Sequence, residues 1–172
     1  MKNLRLKTGA TYGVITSVLS ILIGMTLHFM GLNDFSGGGS SGWVNILILV
    51  LGIYLGVEAF KKQNEGFATT GDIVMMSVFL GLVMGLISGI YSAIYLNYID
   101  PTVIEKIRNV AEAKMEEAGN TEEQMDMALG MMEKMMQPGW LILMATLMNT
   151  IFSLVLGALL SLFLKKEPSV FE

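Results

Sequence analysis

Four long apolar runs alternate with short polar breaks along this chain, and one stretch of mixed character separates the third run from the fourth. The third run, residues 73–99, has no charged side chain between Asp72 and Asp100. About 20 apolar residues are enough to cross a bilayer as a helix. Within the run small residues recur at every fourth position: Ser77, Gly81, Gly85, Gly89 and then Ala93. The positions between are mostly large and apolar. In lipid little hydrophobic force draws helices together, so close backbone approach along small-residue faces packs them. The pattern predicts a central helix of roughly 40 Å at about 1.5 Å per residue, long enough to tilt or protrude.

Three further spans are predicted at 10–30, 43–60 and 140–164. The first carries a small face of Gly13, Ser17, Ser20 and Gly24; the second repeats the spacing with Gly52 and Gly56, the fourth with Gly157 and Ser161. A basic start, Lys2, Arg5 and Lys7, precedes the first run as in a signal peptide. The run is too long for one and ends in no small-x-small cleavage site, so an uncleaved anchor is expected. Residues 33–42, rich in Gly and Ser, read as a flexible linker. They lack the Lys and Ser/Thr of a phosphate-cradling loop. Trp43 suits the membrane interface. Glu58 is placed to pair with Lys61 or Lys62, and Asp72 to cap the third helix. Tyr91, Tyr95 and Tyr98 read as an interface belt.

The mixed stretch, 101–137, has amphipathic spacing. Asp100 is expected as a cap with Pro101 at the first helical position. Val103, Ile104, Ile107, Val110, Ala111 and Met115 then fall on one face. Gly119-Asn120 ends that helix, and Thr121-Glu122-Glu123-Gln124 opens another as a capping box. Gln137-Pro138-Gly139 breaks it before the fourth span. The fold class expected is therefore all-α: a single membrane domain over 1–172, four transmembrane helices in a bundle, and an amphipathic helical hairpin between the third and fourth.

Composition agrees: 53% of the 172 residues are hydrophobic and 15% charged. Such values mark an integral membrane protein. The net charge of −4, with no basic block interleaved with aromatic residues, argues against nucleic-acid binding. With no cysteine, disulfides, thiolate metal sites and cysteine nucleophiles are excluded. Lys2, Arg5, Lys7, Lys61, Lys62, Lys165 and Lys166 all fall on one side of the four-span arrangement. The 99–138 segment has four basic residues against nine acidic ones. Basic residues flanking spans stay in the cytoplasm. Both termini are thus expected in the cytoplasm of a bacterial inner membrane, and the hairpin outside.

Gly66-Phe67-Ala68-Thr69-Thr70-Gly71 before the third span and Gly85-Leu86-Ile87-Ser88-Gly89-Ile90-Tyr91 within it carry a resemblance, together with Tyr98-Ile99-Asp100-Pro101 and the acidic amphipathic segment ending at Pro138. In these the chain resembles domain-of-unknown-function family 4199, bacterial inner-membrane proteins common in the Bacteroidota. The resemblance spans essentially the whole chain. It implies four spans with one helical insertion after the third, and no reaction. The methionine density of the second amphipathic helix departs from the family's usual pattern.

That density is the sharpest chemical candidate. Met125, Met127, Met131, Met132, Met135 and Met136 offer soft thioethers suited to Cu(I). Helical spacing, however, aligns Met125, Met132 and Met136 with Leu129 in one line and Met127, Met131 and Met135 in another. Methionine also fills apolar faces and adaptable binding surfaces, and no His or Cys accompanies the cluster. His28, the single histidine, is expected to hydrogen-bond near the membrane interface. Thr146, Asn149, Thr150 and Ser153 form a polar stripe in the fourth span, read as inter-helix hydrogen bonding or as the wall of a polar cavity. No ionisable group accompanies them at mid-membrane, which argues against a proton- or ion-coupled transporter. Gly85-Leu86-Ile87-Ser88-Gly89 lacks the glycine two residues before the serine found in intramembrane serine proteases. No nucleophile, base and oxyanion donor can be assembled.

The expected function is thus a non-enzymatic structural or accessory subunit with no cofactor. Its partners would be the lipid bilayer and a membrane protein or second copy of itself at the hairpin. The alternative is a small transporter or flippase-like accessory for hydrophobic or lipid-linked substrates; extracytoplasmic copper handling is a weaker one. A cavity lined by Asn149, Thr146 and the first-span serines would favour transport, and a filled interior the structural role.

Overall fold

The computed structural model describes residues 2–32 and 40–167. Its helices are α1 (Lys2–Phe29), α2 (Ser40–Gln63), α3 (Thr70–Ile94), α4 (Thr102–Glu117), α5 (Glu122–Met135) and α6 (Pro138–Leu164). A π-helical turn, Tyr95–Ile99, continues α3. Among the described residues, four segments are long and apolar enough to cross a membrane: Asn3–Phe29, Gly42–Gln63, Thr70–Ile99 and Pro138–Leu164. Their outward faces are apolar, Leu162 and Phe163 being 66% and 84% exposed. A surface of that kind is stable against lipid and not against water. The protein is an integral membrane protein with an α4–α5 hairpin inserted between its last two spans.

α3 is the axis of the bundle, packing most extensively against α6 and next against α1, while α2 leans on α1. Glycines set these distances. A Cβ on Gly85 would lie 2.6 Å from Thr146 Cα, and one on Gly89 2.8 Å from Ile142 Cα. On Gly81 it would lie 2.5 Å from the Asn149 carbonyl oxygen, and on Gly157 2.5 Å from Ser77 Cβ. The α3–α6 contact is therefore backbone against backbone. Toward α1 the approach is equally close through Gly9 and Gly13, whose Cβ atoms would meet the Met76 and Leu80 carbonyl oxygens at 2.6 and 2.8 Å. Gly52 of α2 receives the Thr16 side chain, Gly56 lies against Met76 and Tyr12, and Ala93 is buried.

The apolar core fills one half of the bundle. Leu49, Ile53, Val57 and Phe60 of α2 meet Ile73, Met76, Leu80 and Met84 of α3, with Leu4 and Tyr12 of α1 and Leu156, Leu160 and Leu164 of α6 packed around them. The same half ends in the basic residues. Arg5 Nε approaches Asp72 Oδ1 to 2.5 Å, and Lys61 Nζ approaches Glu58 Oε1 to 2.9 Å. The α2–α3 turn is locked to the exit of α6: Ala68 N–H donates to Lys166 O at 2.8 Å, and Lys166 N–H donates to Ala68 O at 2.9 Å. Lys166 also lies over the Phe67 ring. That turn passes through Glu65 and Gly66 at φ 54° and 84°, so the left-handed second position suits glycine.

Several local expectations are corrected. Thr69, not Asp72, caps α3: Thr69 Oγ1 accepts from the Asp72 N–H while Asp72 Oδ2 accepts from the Thr69 N–H. The longer-range gain is that Asp72 Oδ1 is left for Arg5. Asp100 does not cap α4 with its side chain; Pro101 occupies the cap and Asp100 Oδ1 accepts from Thr102 Oγ1 at 2.5 Å. Of the expected linker 33–42, residues 33–39 lie outside the described residues, and Ser40, Ser41 and Gly42 belong to the first turn of α2. The α4–α5 connection follows its sequence signals. Gly119 sits at φ 76°, with the Asn120 N–H bonded to Met115 O and the Gly119 N–H to Glu116 O, and Thr121 and Gln124 form the capping box.

Candidate functional site

Among the described residues, the other half of the bundle, toward the hairpin, contains a partly open cavity. This cavity, of about 430 Å³, lies between α1, α3 and α6, reached by Asn45 from α2 and bounded by Val103 at the start of α4. Its origin is legible in the small face of α1. Gly9, Gly13 and Ser17 are pressed against α3 or buried, whereas a Cβ on Gly24 would meet nothing within 4 Å. Small residues placed where no neighbour closes on them leave space.

The π turn shapes the opposite wall. Asp100 N–H donates to Tyr95 O at 2.8 Å, one residue wider than an α-helical bond. Such widening rotates the side chains that follow and is common at functional sites. Tyr91 and Tyr95 stack at 5.7 Å between ring centroids and both line the cavity. Tyr95 also meets the His28 ring edge-on at 5.9 Å. Tyr91 and Tyr95 thus turn inward rather than forming an outward belt with Tyr98, which is 78% exposed. His28 itself lines the cavity and places Nε2 3.9 Å from Asp100 Oδ2. The Asp100 carboxyl is held below the ordinary carboxylate range, chiefly by the Thr102 hydroxyl; desolvation opposes this, and Lys106, the Thr102 backbone and His28 add smaller lowering effects.

Apart from His28, the polar groups on the wall are hydroxyls and amides. Ser20 Oγ donates to Asn45 Oδ1, and Asn149 Nδ2 donates to the Ala145 carbonyl at 2.8 Å. Ser88 Oγ is buried and has no hydrogen-bond partner. Ser92, Tyr91 and Tyr95 add further hydroxyls, while Ile21, Met25 and Met84 supply apolar surface. Ser88 and His28 share the wall, but the unpartnered Ser88 hydroxyl forms no nucleophile–base pair there.

Of the polar stripe in α6, only Asn149 reaches the cavity. Thr146 and Thr150 donate to Ile142 O and Thr146 O, each at 2.7 Å, and so satisfy themselves within their own helix. Thr146 packs on Gly85 and Ser153 on Gly81, where Ser153 Oγ is buried without a partner. In place of the expected inter-helix hydrogen bonds, Thr146, Asn149 and Thr150 donate to carbonyls of their own helix, and the two helices meet by close contact at glycines. The cavity residues that sequence reasoning missed, Asn45, Ser92 and the two tyrosines, carried no spacing signal that separates a wall from a packed face.

The methionines of α5 divide between two faces. Met125, Met132 and Met136 are half-buried around buried Leu129, whereas Met127 and Met131 are 66% and 61% exposed and Met135 is exposed too. The six thioethers do not converge on one point. α4 and α5 are held together by Arg108 Nη1 and Glu133 Oε1 at 3.0 Å.

A family model described as Protein of unknown function (DUF4199) matches residues 11–166, and the chain belongs to that family. No curated protein and no solved structure matches the chain.

Proposed function

We propose that this membrane protein is a small, non-catalytic accessory that holds a hydrophobic or amphipathic molecule taken from the bilayer. The single observation supporting this reading is the cavity in the hairpin-side half of the bundle. The cavity is partly open, has a volume of about 430 Å³ and has polar groups on its wall, features that a closely packed interior would lack. Ligand sites of about 300–1,000 Å³ lined by apolar surface with a few polar groups are the usual pattern. The transporter or flippase-like alternative thus gains support over the filled-interior role, although Thr146 and Ser153 take no part in the wall.

The test is native mass spectrometry of the protein released from its own membranes in mild detergent. A molecule of hydrophobic origin is expected to remain bound to the wild type and to be lost from Gly24→Phe, whose ring would occupy the cavity. Wild-type protein that carries nothing would refute the reading.

The exposed line of Met127, Met131 and Met135 favours a second role for the hairpin, as a surface resting on the membrane or on another membrane protein. For the setting we infer a bacterial inner membrane with both termini in the cytoplasm and the hairpin outside. Arg5, Lys61, Lys62 and Lys166 gather at the end of the bundle away from the hairpin, as cytoplasmic flanks do.

A further inference from the structure

Resting on the ligand-holding reading, we infer that the cavity accepts the uncharged, hydrogen-bonding head of an amphiphile, such as a glycerol ester, and rejects phosphate and carboxylate heads. Among the described residues, no Lys or Arg contributes to its wall. Arg5, bound to Asp72, belongs to the far end of α3. Asp72 and Ser88 are 16 positions apart on one helix, which is about 24 Å at 1.5 Å per residue. An anionic head in the cavity would therefore give up its hydration with no fixed cation to replace it, which is strongly unfavourable in an apolar setting.

The ionisable groups at the cavity point the same way. His28 faces the Asp100 carboxylate at 3.9 Å, so each group already faces the other rather than a ligand head. Asp100 also sits near Lys106 of α4 and so does not offer a free anion to a cationic head. What the wall does present is neutral. The unpartnered Ser88 hydroxyl, Asn149 and the Tyr95 and Ser92 hydroxyls can each exchange hydrogen bonds with alcohols or ester carbonyls. A buried hydroxyl without a partner costs free energy, and a ligand hydroxyl or carbonyl would relieve that cost. Ile21, Met25 and Met84 supply the apolar surface for the first part of a chain.

The experiment uses the full chain in lipid nanodiscs with three photoreactive probes of one acyl length: a monoacylglycerol, a lysophosphatidic acid and a long-chain amine. Crosslinked peptides are identified by mass spectrometry. The monoacylglycerol is expected to label peptides from residues 20–28 or 84–96 at least about tenfold more than either charged probe. That ratio corresponds to about 1.4 kcal/mol. Ser88→Ala, which removes only the unpartnered hydroxyl, is expected to cut this labelling at least about threefold with the bundle intact, and Gly24→Phe to abolish it. Equal or stronger labelling of these peptides by a charged probe, still blocked by Gly24→Phe, overturns the head-group assignment and leaves the ligand-holding reading standing. Absence of labelling by all three probes, or labelling indifferent to both substitutions, overturns both.

Discussion

Arg5 Nε stands 2.5 Å from Asp72 Oδ1, joining the first turn of α1 to the first turn of α3. Asp72 is only 3% exposed and Arg5 28%. The carboxylate is held on its other side by Thr69, whose N–H and Oγ1 donate to Oδ2 at 2.9 and 2.7 Å. One short side chain thus caps a helix and anchors its neighbour. It also fixes the end of the bundle at which the α2–α3 turn is bonded to Lys166.

Losing the cation should therefore cost more than a surface pair would. Removing one partner of a buried pair leaves the other charge uncompensated, at about 3–5 kcal/mol. Because Arg5 is partly exposed, Arg5→Ala is expected to destabilise by about 3 kcal/mol, at the low end of that range. Unfolding titrations in mixed micelles measure this. Adding Asp72→Asn to Arg5→Ala should recover part of the loss, since it removes the unpaired buried charge while the amide oxygen can still accept from Thr69.

The glycines should divide into two classes. Gly85→Ala sets a methyl 2.6 Å from a backbone carbon of α6 that cannot yield, and is expected to destabilise by about 1–3 kcal/mol. Gly24→Ala meets empty space and should be neutral or stabilising, by up to about 1 kcal/mol from helix propensity. Thermal melting of the two variants side by side distinguishes them, and equal losses would contradict the cavity.

Acid should be felt at Asp100 only below its ordinary titration range. Its carboxyl is held low first by the Thr102 hydroxyl, then by Lys106 and His28. A depressed folded value means the charged form supports the fold. That contribution is complete above the ordinary value of 3.8 and is lost as pH falls through the lower folded value. Thr102→Val should raise the Asp100 titration midpoint, observed by carboxyl ¹³C shifts in micelles. An unmoved midpoint would show that the hydroxyl is not the main cause.

Oxidation should read the hairpin surface. In detergent, dilute peroxide is expected to convert Met127 and Met131 to sulfoxides well before Met76 and Met84, which are 1% and 3% exposed. In native membranes the first two should be protected if that face rests on lipid or protein. Unchanged rates on moving from detergent to membrane would remove the second role proposed for the hairpin.

Orientation can be read directly, since the chain contains no cysteine. Single cysteines placed by Glu123→Cys and Lys62→Cys should differ in intact cells. A membrane-impermeant maleimide is expected to label the first and spare the second; the reverse would invert the topology.

Much of the architecture is legible in the residue pattern. Four apolar runs, the four-residue spacing of Ser77, Gly81, Gly85 and Gly89, the Gly119-Asn120 stop and the Thr121 capping box are all local or periodic features. Each constrains the chain within a turn or two, so reading along it is enough. The Thr69-x-x-Asp72 spacing is itself a local capping-box signature, with Thr69 as the cap and Asp72 as its third helical residue; what lies beyond local reading is the approach of Arg5 from α1 to Asp72.

By itself, then, the sequence determined that the chain crosses a membrane and which helix lies at the centre, because burial in lipid and backbone approach depend on composition and period. Tertiary structure alone decided which small residues are pressed together and which stand open. Gly13 and Gly24 occupy the same kind of position on α1, yet one touches the backbone of α3 and the other borders empty space. The difference lies in the distance between helices at each level of the bundle. At one end the helices are joined by residues far apart along the chain, Arg5 with Asp72 and Ala68 with Lys166, which no local pattern reveals.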